Sequence, residues 1–197
     1  MNKFKKIMVA AGLIVTISAF TLTNETEAAT NRTIHNGDTY WKIAKGFGVP
    51  VKSVMNANDS KPLIAGETMI LPNATISATD KDLMARLVHA EAVGEPYAGK
   101  VAVAVVILNR VKSNQFPNTV REVIYQVTDG HYAFTPVQNG QINKSADAAS
   151  KRAVNEAIAL DGSGNGSLFF YNPKTSSSKW ILSRSVTVEI GNHRFAR

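Results

Sequence analysis

The chain has 197 residues, with 22 Lys and Arg against 15 Asp and Glu, a formal net charge of +7 and no cysteine. That length holds one ordinary domain, or a small module plus a modest domain. The absence of cysteine excludes disulfides, thiol nucleophiles and cysteine-ligated zinc.

At the N-terminus Lys3, Lys5 and Lys6 form a positive start, residues 8–22 are almost wholly apolar, and Thr26-Glu27-Ala28 offers small residues at a cleavage point. This order predicts a secretory signal peptide over residues 1–28. The alternative, an uncleaved anchor, falls short of the roughly 20 apolar residues of a spanning helix. Cleavage would remove three Lys and two Glu and leave a net charge of +6. A basic exported protein suits anionic wall polymers or a membrane surface. Lys and Arg scattered without interleaved aromatics argue against nucleic acid. His35, His89, His131 and His193 stand far apart and form no HExxH pair, so the sequence predicts neither metal nor cofactor.

Residues 33–72 predict a compact βααβ unit. Arg32-Thr33-Ile34-His35 reads as a strand, and Asn36-Gly37-Asp38-Thr39 as a turn and helix cap. Tyr40, Ile43, Ala44 and Phe47 then supply a helical apolar face closed by Gly48, a second helix fits 51–57, and residues 66–72 turn into a partner strand. The run Asn36-Gly37-Asp38-Thr39-Tyr40-Trp41-Lys42-Ile43-Ala44, with Val49-Pro50-Val51, Asn56-Ala57-Asn58 and Ile64-Ala65-Gly66-Glu67 following in order, resembles a LysM module. The resemblance implies binding to N-acetylglucosamine-containing glycans and puts Gly37, Asp38, Thr39, Tyr40, Leu63 and Ile64 forward as the binding residues. Tyr40 departs from the Leu usual there; it is read as a core aromatic or as a stacking face for a sugar.

Residues 74–79 are small and polar and read as a linker between a module at 29–73 and a domain at 80–197. Asp80 is the expected cap of a helix over 81–93, ended by Gly94. In that helix Leu83, Leu87 and Glu91 are spaced i, i+4, i+8, so an acid follows two leucines along one face. Driven toward a desolvated cleft, such a carboxyl is raised in pKa and holds a proton near neutral pH, as a general acid must. The competing reading is a helix-end Glu turned to solvent. Glu95-Pro96 opens the next helix, whose apolar run over 101–108 fits a strand on periodicity alone. Pro96 at a first turn and the basic end Arg110-Val111-Lys112 favour a buried central helix. Further helices are expected over 119–125 and 145–160, the latter ended by the Gly-rich run 161–166, and the tail is irregular or β. Gly130-His131-Tyr132-Ala133-Phe134-Thr135-Pro136 and Gln138-Asn139-Gly140-Gln141 suit either a carbohydrate groove or a packed loop.

Several words from residue 80 to the C-terminus resemble the cell-wall hydrolase domain of the spore cortex-lytic type, the SleB/CwlJ family. They include Ala85-Arg86-Leu87-Val88-His89-Ala90-Glu91-Ala92-Val93-Gly94-Glu95-Pro96-Tyr97, Ile107-Leu108-Asn109-Arg110-Val111, Ala133-Phe134-Thr135-Pro136-Val137 and Ile190-Gly191-Asn192-His193-Arg194-Phe195. The resemblance implies a mostly α, lysozyme-like fold that cleaves peptidoglycan glycan strands as a lytic transglycosylase, with the family's acid on Glu91. Val93 stands where the family commonly has Arg.

A lytic transglycosylase needs one acid/base, whereas most glycosidases use two carboxylates. Glu95, at a helix start, is expected to stay ionised and to serve as an orienting group or second carboxylate. Phe134, Thr135, Gln141, Tyr171 and Trp180 are the groove candidates. The competing functions are an N-acetylmuramoyl-L-alanine amidase, usually zinc-dependent, and a non-catalytic wall-binding germination accessory protein. All three place the protein in the wall or spore envelope with peptidoglycan as partner.

Overall fold

A computed structural model describes residues 29–161 and 164–197; the predicted signal peptide, and Gly162-Ser163 of the Gly-rich run, lie outside the described residues. Strand β1 (Thr30–Thr33) pairs antiparallel with β2 (Thr68–Leu71), Thr30 opposite Leu71 and Thr33 opposite Thr68. Between them lie α1 (Tyr40–Phe47) and α2 (Val51–Ala57). Thr39 caps α1 by accepting from the Lys42 N–H, and Gly48 ends it in the left-handed region at φ 61°, a conformation that favours glycine. This βααβ unit closes over Ile34, Ile43, Ala44, Val49, Val54, Met69 and Leu71.

The expected linker is shorter than its composition suggests. Helix α3 (Ala78–Glu91) begins three residues earlier than predicted, and its cap is Ser77 rather than Asp80. Ser77 Oγ accepts from the Asp80 N–H at 3.1 Å and donates to Asp80 Oδ2 at 2.9 Å. Asp80 is thus the third helical residue of a reciprocal capping box, which the Ser-x-x-Asp spacing specifies better than an aspartate alone. Ile76, inside the supposed linker, packs on the second core.

Helix α4 (Tyr97–Lys112) is the buried centre that its apolar run predicts, with Val103, Ala104, Val106 and Ile107 fully inaccessible. Each such buried aliphatic side chain contributes roughly 1.5–3 kcal/mol. Around α4 pack α3, α5 (Val120–Ile124, capped by Thr119) and α7 (Ala148–Ala159). Helix α7 starts three residues later than predicted because the Asp147 carboxylate accepts from the Ser150 N–H at 2.6 Å and fixes the start there. The stretch read as an aromatic loop holds a short hairpin, β3 (Val127–Thr128) with β4 (His131–Tyr132), and a single turn, α6 (Thr135–Gln138). The tail contributes β5 (Phe169–Tyr171), a turn α8 (Lys179–Leu182), β6 (Val186–Ile190) and β7 (His193–Ala196), in an antiparallel sheet ordered β5-β7-β6.

The βααβ unit is seated on α7. Ala159 of α7 lies in the core of that unit, Lys45 Nζ is 2.6 Å from Glu156 Oε2, and Lys81 Nζ donates to the Phe47 carbonyl at 3.0 Å. A Cβ on Gly48 would collide with Asn155, so the turn after α1 approaches α7 as closely as a glycine permits.

Candidate active site

Glu91 is the last residue of α3. Leu83 and Leu87, two turns and one turn before it, are 1% and 0% exposed, so the i, i+4, i+8 face does point into the core. The helix closes where the Ala92 N–H donates to the Val88 carbonyl, and the chain turns through Gly94 at φ 77° into Pro96, which precedes α4. Glu91 is left half-buried at this turn. Burial raises its pKa from 4.5 to about 7, and the charge of Arg110 opposes that rise; among the described residues no hydrogen bond to the carboxylate pulls it down. The group is therefore a carboxylic acid poised to give and take a proton near neutrality.

Glu95 has different surroundings. Its Oε2 accepts from the Asn192 backbone N–H at 3.0 Å and its Oε1 from Asn192 Nδ2 at 3.1 Å, tying the α3–α4 turn to the β6–β7 hairpin. Beside it His193 is lowered in pKa by burial, against the charge of Glu95. Val93, where a cation is common in the family, is 72% exposed.

The groove candidates divide. Thr135 opens α6 at the surface, Gln141 is exposed, and Trp180 is 53% exposed. Phe134, by contrast, is only 3% exposed; its ring stacks with Phe170 at 6.3 Å and lies under Arg110, so it is a core residue rather than a groove wall. Tyr171 is also buried, on β5. Both are aromatics that this small domain needs inside, a demand that loop composition does not reveal.

Arg110, read from the sequence only as part of the basic end of α4, turns inward and is 7% exposed. Its Nε donates to the Leu168 carbonyl at 2.8 Å, and its guanidinium lies 4.9, 5.0 and 5.6 Å from the ring centroids of Phe116, Phe134 and Phe169. Burial lowers its pKa to about 10, opposed by Glu91, so it stays charged at neutral pH. The available signal was an Arg one residue after Asn109 on a helix apolar all round.

In the βααβ unit Tyr40 and Leu63 line a groove of about 240 Å³ with Asn58, Lys61 and Pro62. Tyr40 also packs against the core, as one of its two readings expects, and donates its hydroxyl to the Lys61 carbonyl at 2.7 Å. Gly37 turns at φ 80°, Thr39 caps α1, and Asp38 accepts from Arg32 Nη1 at 2.7 Å and the His35 N–H at 2.8 Å, bonds that hold its carboxyl below the usual range. These three shape the turn, while Ile64 is 55% exposed. Among the described residues no three His, Asp or Glu side chains cluster as metal ligands, and no helix is long and apolar enough to cross a membrane.

Residues 94–196, over half of the chain, match the family described as Cell Wall Hydrolase. The chain belongs to that family. The matched span begins three residues after Glu91, and a second match, to the LysM domain, covers residues 33–72. A spore cortex-lytic enzyme of Bacillus cereus is 45% identical over 142 residues, 72% of this chain and 52% of that protein. The chain thus spans about half the length of the curated relatives it matches. Among solved structures, the catalytic domain of the germination-specific lytic transglycosylase SleB from Bacillus anthracis superposes with a TM-score of 0.58 at 44% identity, covering 64% of this chain and 100% of that one. The catalytic domain of the Bacillus cereus SleB protein gives 0.55 at 43%, covering 62% and 92%. The mostly α, lytic-transglycosylase-like architecture expected from the sequence is the one found.

Proposed function

We propose that the chain is a peptidoglycan hydrolase that cleaves the glycan strand between N-acetylmuramic acid and N-acetylglucosamine as a lytic transglycosylase, with Glu91 as its single acid and base. The observation that carries this reading is the half-buried Glu91 carboxyl at the end of the leucine face of α3, raised to about 7 by burial. Glu91 protonates the glycosidic oxygen as its bond to C1 breaks. It then takes the proton of the muramic C6 hydroxyl as that oxygen bonds to C1, so no water is consumed and a 1,6-anhydro end forms. Glu95, occupied by Asn192, orients the turn that presents Glu91 and takes no proton itself. Thr135, Gln141 and Trp180 are the surface residues left to contact the strand.

Residues 1–28 act as the export signal, 29–73 as the wall-binding LysM module, 74–79 as a short joint and 80–197 as the catalytic domain. The LysM and cell wall hydrolase matches both support peptidoglycan as partner, and the net charge of +6 after export suits an anionic wall. The relatives' description as spore cortex-lytic enzymes favours cortex as substrate and the spore envelope as location. The test is mass spectrometry of fragments released from purified spore cortex and from vegetative wall, assayed side by side. Anhydromuramic ends are expected; hydrated reducing ends, free stem peptides or no fragments would each overturn the reading.

A further inference from the structure

We propose that Lys100 is a positioning residue for Glu91: anchored beside Asp147 at the start of α7, its ammonium pins the Ala92 carbonyl and so fixes the turn on which the acid stands. This rests on the reading of Glu91 as the acid/base.

Glu91 ends α3, so the turn 92–96 that follows sets where its side chain stands. That turn is held at two points. At its far end Glu95 is tied to Asn192 of the β6–β7 hairpin. At its near end, one residue after Glu91, the Ala92 carbonyl accepts from the Glu95 N–H at 3.2 Å and from Lys100 Nζ at 3.2 Å. A carbonyl oxygen has two lone pairs, and these two donors occupy both.

Lys100 is oddly placed for its own helix. It lies in the first turn of α4, where the positive end of the helix dipole disfavours a cation, and its side chain is only 12% exposed. The end of α3 offsets that cost, because the last carbonyls of a helix lack partners within it and favour a positive charge. Asp147 draws the ammonium into place from the other side. Its carboxylate caps α7 by accepting from the Ser150 N–H at 2.6 Å, and its Oδ2 stands 3.9 Å from Lys100 Nζ and 3.4 Å from His89 Nδ1. Charged or titratable side chains of α3 and α4 and the cap of α7 therefore meet at the end of α3 that carries Glu91. The approach of α4 to the turn is close: a Cβ on Gly99 would stand 3.2 Å from Glu95 Cβ.

A general acid must hold its carboxyl at the glycosidic oxygen, and misplacement by about 1 Å costs on the order of a hundredfold in rate. The last residue of a helix is poorly suited to this by itself, because helix ends fray. Lys100 supplies the missing hold from α4 through the backbone next to Glu91. The same bond keeps the turn closed over a carboxyl whose burial is what keeps it protonated near neutral pH.

The test compares Lys100→Met, Lys100→Arg and Asp147→Asn in the full chain, by kcat and KM on soluble glycan fragments and by the pH titration of Glu91 followed through its carboxyl-carbon NMR shift. Arg86, His89, Glu95, Arg110 and His193 are unchanged in all three. Lys100→Met is expected to lower kcat about tenfold with KM within about twofold. It also admits water to the turn, so the Glu91 midpoint moves down, by about one pH unit. Removal of a positive charge acting only through space would move that midpoint up, and a merely structural role would leave it in place; either result overturns the inference. Lys100→Arg keeps a cationic donor and is expected to recover most of the lost rate; no recovery together with an unmoved midpoint marks a merely structural role. Asp147→Asn keeps a capping side chain on α7 and removes the anchor, so its effects have the same direction and a smaller size. One measurement needs no variant to fold. In the unaltered protein the Glu95 amide, which shares the Ala92 carbonyl with Lys100, should exchange with solvent at least about tenfold more slowly than in an unstructured chain; exchange at the unstructured rate also overturns the inference. Activity retained by Glu91→Gln would instead remove the underlying assignment of the acid, a distinguishable failure.

Discussion

Glu91→Gln keeps the size of the side chain and deletes its titration, so it separates what a buried acid does for chemistry from what it costs in stability. The folded pKa of about 7 lies above the ordinary 4.5. Below pH 4.5 the carboxyl is protonated in both folded and unfolded chains and has no stability consequence. As pH rises toward 7 the unfolded chain ionises freely while the folded one resists, and folding loses up to about 3 kcal/mol, at about 1.4 kcal/mol per pKa unit. Above pH 7 the loss is complete and constant. Relative to wild type, the Gln variant is expected to be equally stable at pH 4.5, about 1 kcal/mol more stable at pH 5.5 and about 3 kcal/mol more stable at pH 8. For a chain of this size that corresponds to a melting rise of roughly 6–12 °C at pH 8. Fragment release should fall by at least about a hundredfold at every pH. Urea unfolding followed by circular dichroism across pH 4.5–8.5 measures the first effect and muropeptide release the second. A stability difference independent of pH would refute the burial argument, and retained release would refute the catalytic one.

Three further outcomes follow from the same structure. Asn192→Ala removes one of two bonds that engage Glu95 and is expected to cost about 1 kcal/mol, read by thermal melting, with much more activity retained than in Glu91→Gln. Glu156→Ala frees Lys45 and Tyr97 together and loosens the seat of the LysM module on α7. Limited proteolysis should then cut near residues 73–77 sooner, and Tyr97, held up at about 12 by burial and by Glu156, should titrate at lower pH in an ultraviolet absorbance titration. Leu63→Ala, on the groove beside Tyr40, should weaken sedimentation with insoluble peptidoglycan by about tenfold while leaving release from soluble glycan fragments unchanged.

Much of this molecule is written locally. The βααβ pattern, the all-apolar α4 and the position of Glu91 after Leu83 and Leu87 follow from spacing, because helix and strand periodicity is a property of neighbouring residues. Even the early start of α3 was available in Ser77-x-x-Asp80, a signal outweighed by the small, polar look of residues 73–79. What sequence misjudged are the residues whose surroundings arrive from far along the chain. Phe134 and Tyr171 have groove-like composition and core positions. Arg110 reads as part of a basic helix end, and the sequence does not reveal that Phe116, Phe134 and Phe169 enclose it.

The sequence by itself determined a cysteine-free, basic chain with a glycan-module pattern and an acid on a leucine face, since composition, spacing and capping act within a few residues. Only the tertiary structure decided that Glu95 is tied to a hairpin 97 residues away, that the LysM module shares Ala159 with α7, and that Arg110 is buried among three aromatic rings. The physical reason is that burial and charge proximity are properties of space. A carboxyl has no raised pKa until distant segments exclude its water.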